Sequence, residues 1–246
     1  MKILLTNDDG INAEGILALY DSLKNIAEVT IVAPDSERSA VGHGITIADP
    51  LRVKEFKRDG KVVGYSTSGT PADCVKLGVS TLMKERPDIV VSGINAGPNL
   101  GINVLYSGTV SGAMEGAILG IPSLAISLAS WLDCDYGFAA QHAAVLVNGV
   151  IAMNLPAGTL LNVNFPAIGK ALIKGEKFTF QSRVAWTDRY DKRTDPGKRS
   201  YYWLSGDPNE ILYEEGSDSK AIQDGFISIT PIHCDLTDWR MLKNLR

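Results

Sequence analysis

Short apolar runs alternate with amphipathic stretches through the first two thirds of the chain. The runs are rich in Ile, Leu and Val and stop abruptly at polar residues, which predicts buried strands at 2–6, 28–33, 88–92, 123–127 and 159–164. Between the first two, apolar residues recur at helical spacing at Ile16, Leu19, Tyr20 and Leu23, with Asn12 as the expected N-cap. Thr70-Pro71-Ala72-Asp73 sets a capping hydroxyl, a first-turn proline and an acid in the order that starts a helix. Strands alternating with helices describe βαβ units, so the pattern predicts an α/β fold with a mostly parallel sheet flanked by helices.

Two segments break that pattern. Polar and apolar residues alternate through 51–56 and 61–66 around Asp59-Gly60, which predicts a β-hairpin. From about 171 to 230, charged and aromatic residues mix without a helical period, with turns expected at Asp195-Pro196-Gly197 and Gly206-Asp207-Pro208. The expected division is a single domain with a core at 1–170, a β-rich arm at about 171–230 and a C-terminal segment at 231–246. An isolated hairpin is marginal in water, and Arg and aromatic residues favour interfaces. The arm is therefore expected to cross between subunits and make a homodimer or homotetramer.

With 246 residues, 45% of them hydrophobic, the chain can bury one large core. A formal charge of −4 argues against duplex nucleic acid as a partner, because such binding depends on neutralising many phosphates. The three cysteines, Cys74, Cys134 and Cys234, have neither disulfide-framework nor zinc spacing and suit a reducing cytoplasm. The start of the chain turns polar too soon for a signal peptide. The most apolar stretch, 116–132, is interrupted by Pro122 and reads as a helix end, a turn and a buried strand, so no membrane association is expected.

The chemistry is concentrated where strands end. Asp8 and Asp9 follow the first strand directly, and adjacent carboxylates repel unless a hard cation or a turn accommodates them. They either bind a metal or open the following turn and helix. Polar loops at 33–39 and 92–99 follow the second and third core strands, onto the same rim if the strands are parallel. Ser107-Gly108-Thr109 stands at a helix start, where free backbone N–H groups can hold an anion or Ser107 or Thr109 can act as an ordinary N-cap. Carboxylates joined by a hydroxyl and an amide oxygen make an all-oxygen set suited to Mg²⁺ or Mn²⁺. His43 is a candidate substrate contact, whereas His142 lies in a helical pattern.

The segments MKILLTNDDG, APDSERSAVGHGITI, GTPADCV, SGINAGPNLG and YSGTVSGAMEGA, in that order, resemble the SurE family of survival-protein nucleotidases. The likeness continues into RYDKRTDPGKRSYYWL and TPIHCDLT. It implies a Rossmann-like core and a metal-dependent phosphomonoesterase acting on nucleoside 5′-monophosphates, with 3′-monophosphates as a further substrate. On the family pattern Asp8, Asp9, Ser39 and Asn95 hold one divalent cation per subunit. Asp8 or Asp9 then orients the attacking water, and Asn99, Ser107, Gly108 and Thr109 offset the phosphate charge. Two other readings stay open at this level: a nucleotide-sensing module without hydrolysis, and a phosphatase that forms an aspartyl-phosphate on Asp8. A signalling receiver domain would need an acceptor Asp after the third core strand, where this chain has Asn95.

Overall fold

Strand β1 (Lys2–Thr6) is paired in parallel on both edges, with β2 (Glu28–Pro34) on one side and β5 (Ile89–Ala96) on the other. The computed structural model describes residues 1–132, 134–183, 186–208 and 213–245. Leu4 faces a cluster with Val32, Cys74 and Val75, whereas Ile3 and Leu5 face the cluster that contains Ile16, Leu19 and Leu23. A strand covered on both faces needs apolar residues at every position, which is why 2–6 reads as a continuous run.

The remaining core elements follow in chain order: α1 (Glu14–Leu23), β3 (Val53–Arg58), β4 (Lys61–Thr67), α2 (Pro71–Leu77), α3 (Gly108–Ile118), β6 (Ser123–Leu128), α4 (Gly137–Met153) and β7 (Thr159–Phe165). The sheet has nine strands in the order β3-β4-β2-β1-β5-β6-β7-β11-β8, with β8 at Glu176–Phe178 and β11 at Ile227–His233. Strands β4, β2, β1, β5, β6 and β7 are parallel. β3 pairs antiparallel with β4, and β11 antiparallel with β7. The chain builds outward from β1 to β2 and β4, then returns to β5 on the other side. That reversal is a topological switch point, and ligands in open α/β sheets bind outside the strand ends there.

The helix start expected at α2 holds and the N-cap expected at α1 does not. Thr70 and Asp73 form a reciprocal capping box at α2, with Pro71 in the first turn. Asn12 does not cap α1; Ala13 occupies the N-cap with no side-chain bond. The helix entry is set by packing instead: a Cβ on Gly15 would lie 2.0 Å from the Ile94 carbonyl oxygen, so α1 presses its backbone onto β5.

The separate arm is narrower than 171–230. β8, α5 (Asp218–Gln223) and β11 belong to the main body, followed by α6 (Trp239–Asn244). Among the described residues only β9 (Trp186–Thr194) and β10 (Ser200–Pro208) form a sheet of their own, paired from Thr194–Ser200 to Trp186–Pro208. The turn expected at 206–208 is strand, because those residues continue the ladder opposite 186–188. Among the described residues, no helix is long and apolar enough to cross a membrane.

Candidate active site

Asp8 and Asp9 emerge from β1 at the switch point, and the neighbouring loops converge on them. The Arg38 N–H donates to the Asp8 carbonyl (2.7 Å), which brings Ser39 to the first strand. On the other side, the β5–β6 register slips between Ser92 and Asn95, so three steps on β5 match two on β6. Such a bulge re-aims the side chains that follow it. The outcome is a cavity of about 260 Å³ whose wall includes Asp8, Ser39, Asn95, Asn99 and Ser107. No Lys or Arg is on that wall among the described residues.

The two carboxylates are held differently. Asp8 is buried, and burial lifts its pKa above the ordinary value; the Thr109 hydroxyl and the N–H groups of Thr109 and Gly108 pull partly against that rise. Asp9 is less enclosed and accepts from the Ala96 N–H at 3.3 Å. Its burial, then the neighbouring Asp8 charge, push it up to about 6.

Two side chains with neutral oxygens, Asn95 and Ser39, share the cavity wall with Asp8. The Asn95 amide nitrogen donates to the Gly97 carbonyl (2.8 Å) and the Ala96 carbonyl (3.2 Å), which leaves its oxygen free to accept. The Ser39 hydroxyl donates to Glu37 at 2.7 Å and keeps its lone pairs. Among the described residues no cluster of three or more His, Cys, Asp or Glu stands ready for a metal. A cation here would therefore rest on two carboxylates and neutral oxygens, the donor chemistry of a hard ion.

The start of α3 packs directly against Asp8. Ser107 is the N-cap of α3 and accepts from the Val110 N–H at 3.0 Å, while its side chain also faces the cavity. Thr109 is fully buried and donates its hydroxyl to Asp8. Gly108 is small because Asp8 lies against it: an added Cβ would be 2.7 Å from the Asp8 Cβ. The N–H groups of Gly108 and Thr109 lie against the Asp8 carboxylate. Asn99 stays on the cavity wall with its amide donating to Ser127 at 2.8 Å.

His43 is the clearest departure. Its Nε2 lies 2.8 Å from Glu115 on α3, and the ring lines a neighbouring, more apolar cavity, not the one that holds Asp8. Glu115 is buried and also takes a bond from Lys76 at 2.9 Å. Burial opposes its charge, yet the bonds from His43 and Lys76 outweigh burial and hold its pKa below the ordinary value. His43 therefore tethers the Ser39-bearing loop to α3.

Sequence reasoning passed over the amides that support Asn99. Asn162 and Asn164 on β7 donate to the Asn99 carbonyl (2.8 and 3.1 Å), and Asn164 accepts from its N–H at 2.8 Å. Two asparagines spaced by two within the apolar run TLLNVNF were the available signal, since that spacing points both to one face. Tyr106 and Trp131, also on the cavity wall, were not singled out.

A doubly covered, mostly parallel sheet with paired carboxylates and amide oxygens at its switch point defines an α/β protein with an acidic, oxygen-lined site. The family model "Survival protein SurE" matches residues 3–188. A 5′-nucleotidase SurE from Heliobacterium modesticaldum is 48% identical over 246 residues, covering 100% of this chain and 90% of that one. The 5′-nucleotidase SurE from Moorella thermoacetica is 50% identical, with 100% and 95% covered. The crystal structure of the SurE protein from Aquifex aeolicus matches with a TM-score of 0.87 at 42% identity, covering 100% of this chain and 98% of that one. The chain belongs to the SurE family, and is an enzyme as those curated relatives are.

Proposed function

We propose that this chain is a 5′-nucleotidase that hydrolyses nucleoside 5′-monophosphates, and 3′-monophosphates as a second class, using one divalent cation per subunit. The names of the curated relatives support nucleotide hydrolysis. One observation carries the metal requirement: a dianionic phosphate entering this cavity meets the Asp8 carboxylate on its wall, with Asp9 next in the chain and bonded to the Ala96 N–H, and no basic side chain on that wall among the described residues. Asp8, Asp9, Ser39 and Asn95 would hold the cation, Mg²⁺ or Mn²⁺ by the oxygen chemistry of the set. When bound it supplies positive charge and Lewis acidity at the phosphoryl group.

The chain's own residues do the rest. Thr109 and the start of α3 fix the Asp8 carboxylate, and Asp8 or Asp9 orients the attacking water opposite the departing ribose oxygen. The amide of Asn99 and the hydroxyl of Ser107 donate to the phosphate, and preorganised donors of this kind stabilise charge developed in the transition state. The aromatic hairpin β9–β10 supports assembly with a second copy into a homodimer or homotetramer, and three unpaired cysteines are in keeping with a reducing cytoplasm.

The test is phosphate release from nucleoside 5′- and 3′-monophosphates by chelated protein, then by the same protein with Mg²⁺ or Mn²⁺ restored. Release that depends on the added cation is expected. Nucleotide binding without release under every condition would leave a sensor in place of an enzyme.

A further inference from the structure

The cavity that holds Asp8 also carries two aromatic rings that nothing in the proposed chemistry uses. Trp131 is 64% exposed and Tyr106 is 60% exposed, and both are on its wall. Large exposed rings are ordinary when scattered singly; two on one small polar cavity are a feature of that cavity.

Each ring is placed by backbone that also places a site residue. Tyr106 closes the short helical turn Gly101–Leu105, with its N–H on the Asn103 carbonyl (3.0 Å) and its own carbonyl taking the Gly42 N–H (3.0 Å). The next residue is Ser107. Trp131 lies just beyond β6, where the Gly97 N–H donates to the Leu128 carbonyl at 2.9 Å. Its indole rests on Gly97: a Cβ there would stand 2.3 Å from Nε1 and 2.7 Å from Cε2. Gly97, at φ +105°, is therefore required twice, for its backbone and for the ring above it. The indole is in this way registered against the loop that begins with Asn95.

An exposed ring on the wall of this cavity can add a π-face, and Asp8 is the one charged side chain on that wall among the described residues. Stacking tolerates any base, because every base has a π-face. We propose that Trp131, with Tyr106, forms the base-recognition surface of this site. The enzyme then favours phosphomonoesters whose leaving alcohol carries a flat base and discriminates only weakly among bases. This inference rests on the nucleotidase reading. Trp131 is a specificity-determining residue on this account and takes no part in the phosphoryl chemistry.

The experiment compares adenosine 5′-monophosphate, uridine 5′-monophosphate and ribose 5-phosphate on wild type, Trp131→Ala and Trp131→Phe. Trp131→Ala should raise KM for adenosine 5′-monophosphate roughly five- to a hundredfold with kcat within about twofold, and the uridine ester should suffer less. Ribose 5-phosphate kinetics should stay within about twofold of wild type, and Trp131→Phe should restore most of the loss. Equal losses on the base-bearing and base-free esters, or no loss on either, would overturn the proposal. Adenosine alone gives a readout independent of hydrolysis: it should quench tryptophan fluorescence in the wild type and not in Trp131→Phe. Equal quenching in both also overturns the assignment. Wild type that quenches with adenosine yet releases no phosphate would instead sink the nucleotidase reading and leave the stacking surface standing.

Discussion

The rim at the switch point and the β9–β10 hairpin both mix polar loops with exposed aromatic residues, yet they are held in opposite ways. On the rim each loop is tied to a buried side chain of another element. Thr109 holds Asp8, Asn162 and Asn164 hold Asn99, and Glu115 and Asp73 hold the loop that carries Ser39. The hairpin has its own ladder and a turn closed by Asp195 and Arg199, while Tyr190, Tyr202, Trp203 and Leu204 stay exposed. The rim is organised within one chain, so its chemistry should depend on single buried contacts. The hairpin leaves an aromatic surface open, so its removal should change assembly and spare the chemistry.

The largest expected effect breaks the rim at its centre. Asp8→Asn should lower kcat/KM for a nucleoside monophosphate roughly a thousandfold, because it removes a charged oxygen from the cation set. The protein should stay folded, and its thermal midpoint without metal should rise, since a buried charge has been removed. Near wild-type turnover at saturating Mn²⁺ would remove Asp8 from the site. Thr109→Val keeps the carboxylate and deletes only its hydroxyl partner. A loss of about ten- to a hundredfold in activity or metal affinity is expected, the range for contacts that orient a ligand. Excess metal should recover part of it; a change confined to thermal stability would make Thr109 a packing residue.

The hairpin provides the opposite case. Replacing residues 186–208 with a short Gly-Ser linker should shift sedimentation toward a smaller species while kcat stays within about threefold of wild type. A truncated protein that sediments like the full-length assembly removes the interface role. One that assembles poorly and also loses kcat would mean that the rim is not complete within one chain.

The same contrast explains what the sequence made legible. Strands buried on both faces had to be apolar throughout, so β1 was readable to the residue and β6 and β7 to within one. β5 runs on to Ala96, past the expected end at Ser92, because the polar Ser-Gly-Ile-Asn stretch is absorbed by a bulge. Asp8 and Asp9 stood out because they directly follow an apolar strand, whereas Ser39 and Asn95 were joined to them through the family resemblance, and Asn95 lies within β5. The roles of Thr109 and His43 could not be read. Thr109 at a helix start looks like any anion-binding hydroxyl until the approach of Asp8 through Gly108 is known. His43 finds Glu115 72 positions away, a contact with no local signal. In the arm, composition marked the whole region as unusual, but whether β8, α5 and β11 join the main sheet depends on pairing with β7, which no local pattern encodes.

The smallest expected effect tests the segment that stands between the two cases. The stretch from β2 to β3 has no strand or helix, like a loose arm, yet side chains from α2 and α3 pin it: Thr46 bonds to Asp73, and His43 to Glu115. Glu115 is held below its ordinary pKa of 4.5, so its charged form is favoured by folding. Stability from such a group is present in full above the unfolded value and is lost as pH falls through the folded one. Glu115→Gln should therefore cost about 1–3 kcal/mol at pH 7, the range for a hydrogen bond to a charged partner. The gap to wild type should begin to shrink as pH drops below the unfolded value of about 4.5 and should close only below the lowered folded value, where both proteins carry a neutral side chain facing His43 and Lys76. Denaturant melts of the two proteins from pH 7 to pH 3 measure it. A gap that is constant across that range would mean that Glu115 contributes shape alone, and that the Ser39 loop is held by Asp73 without it.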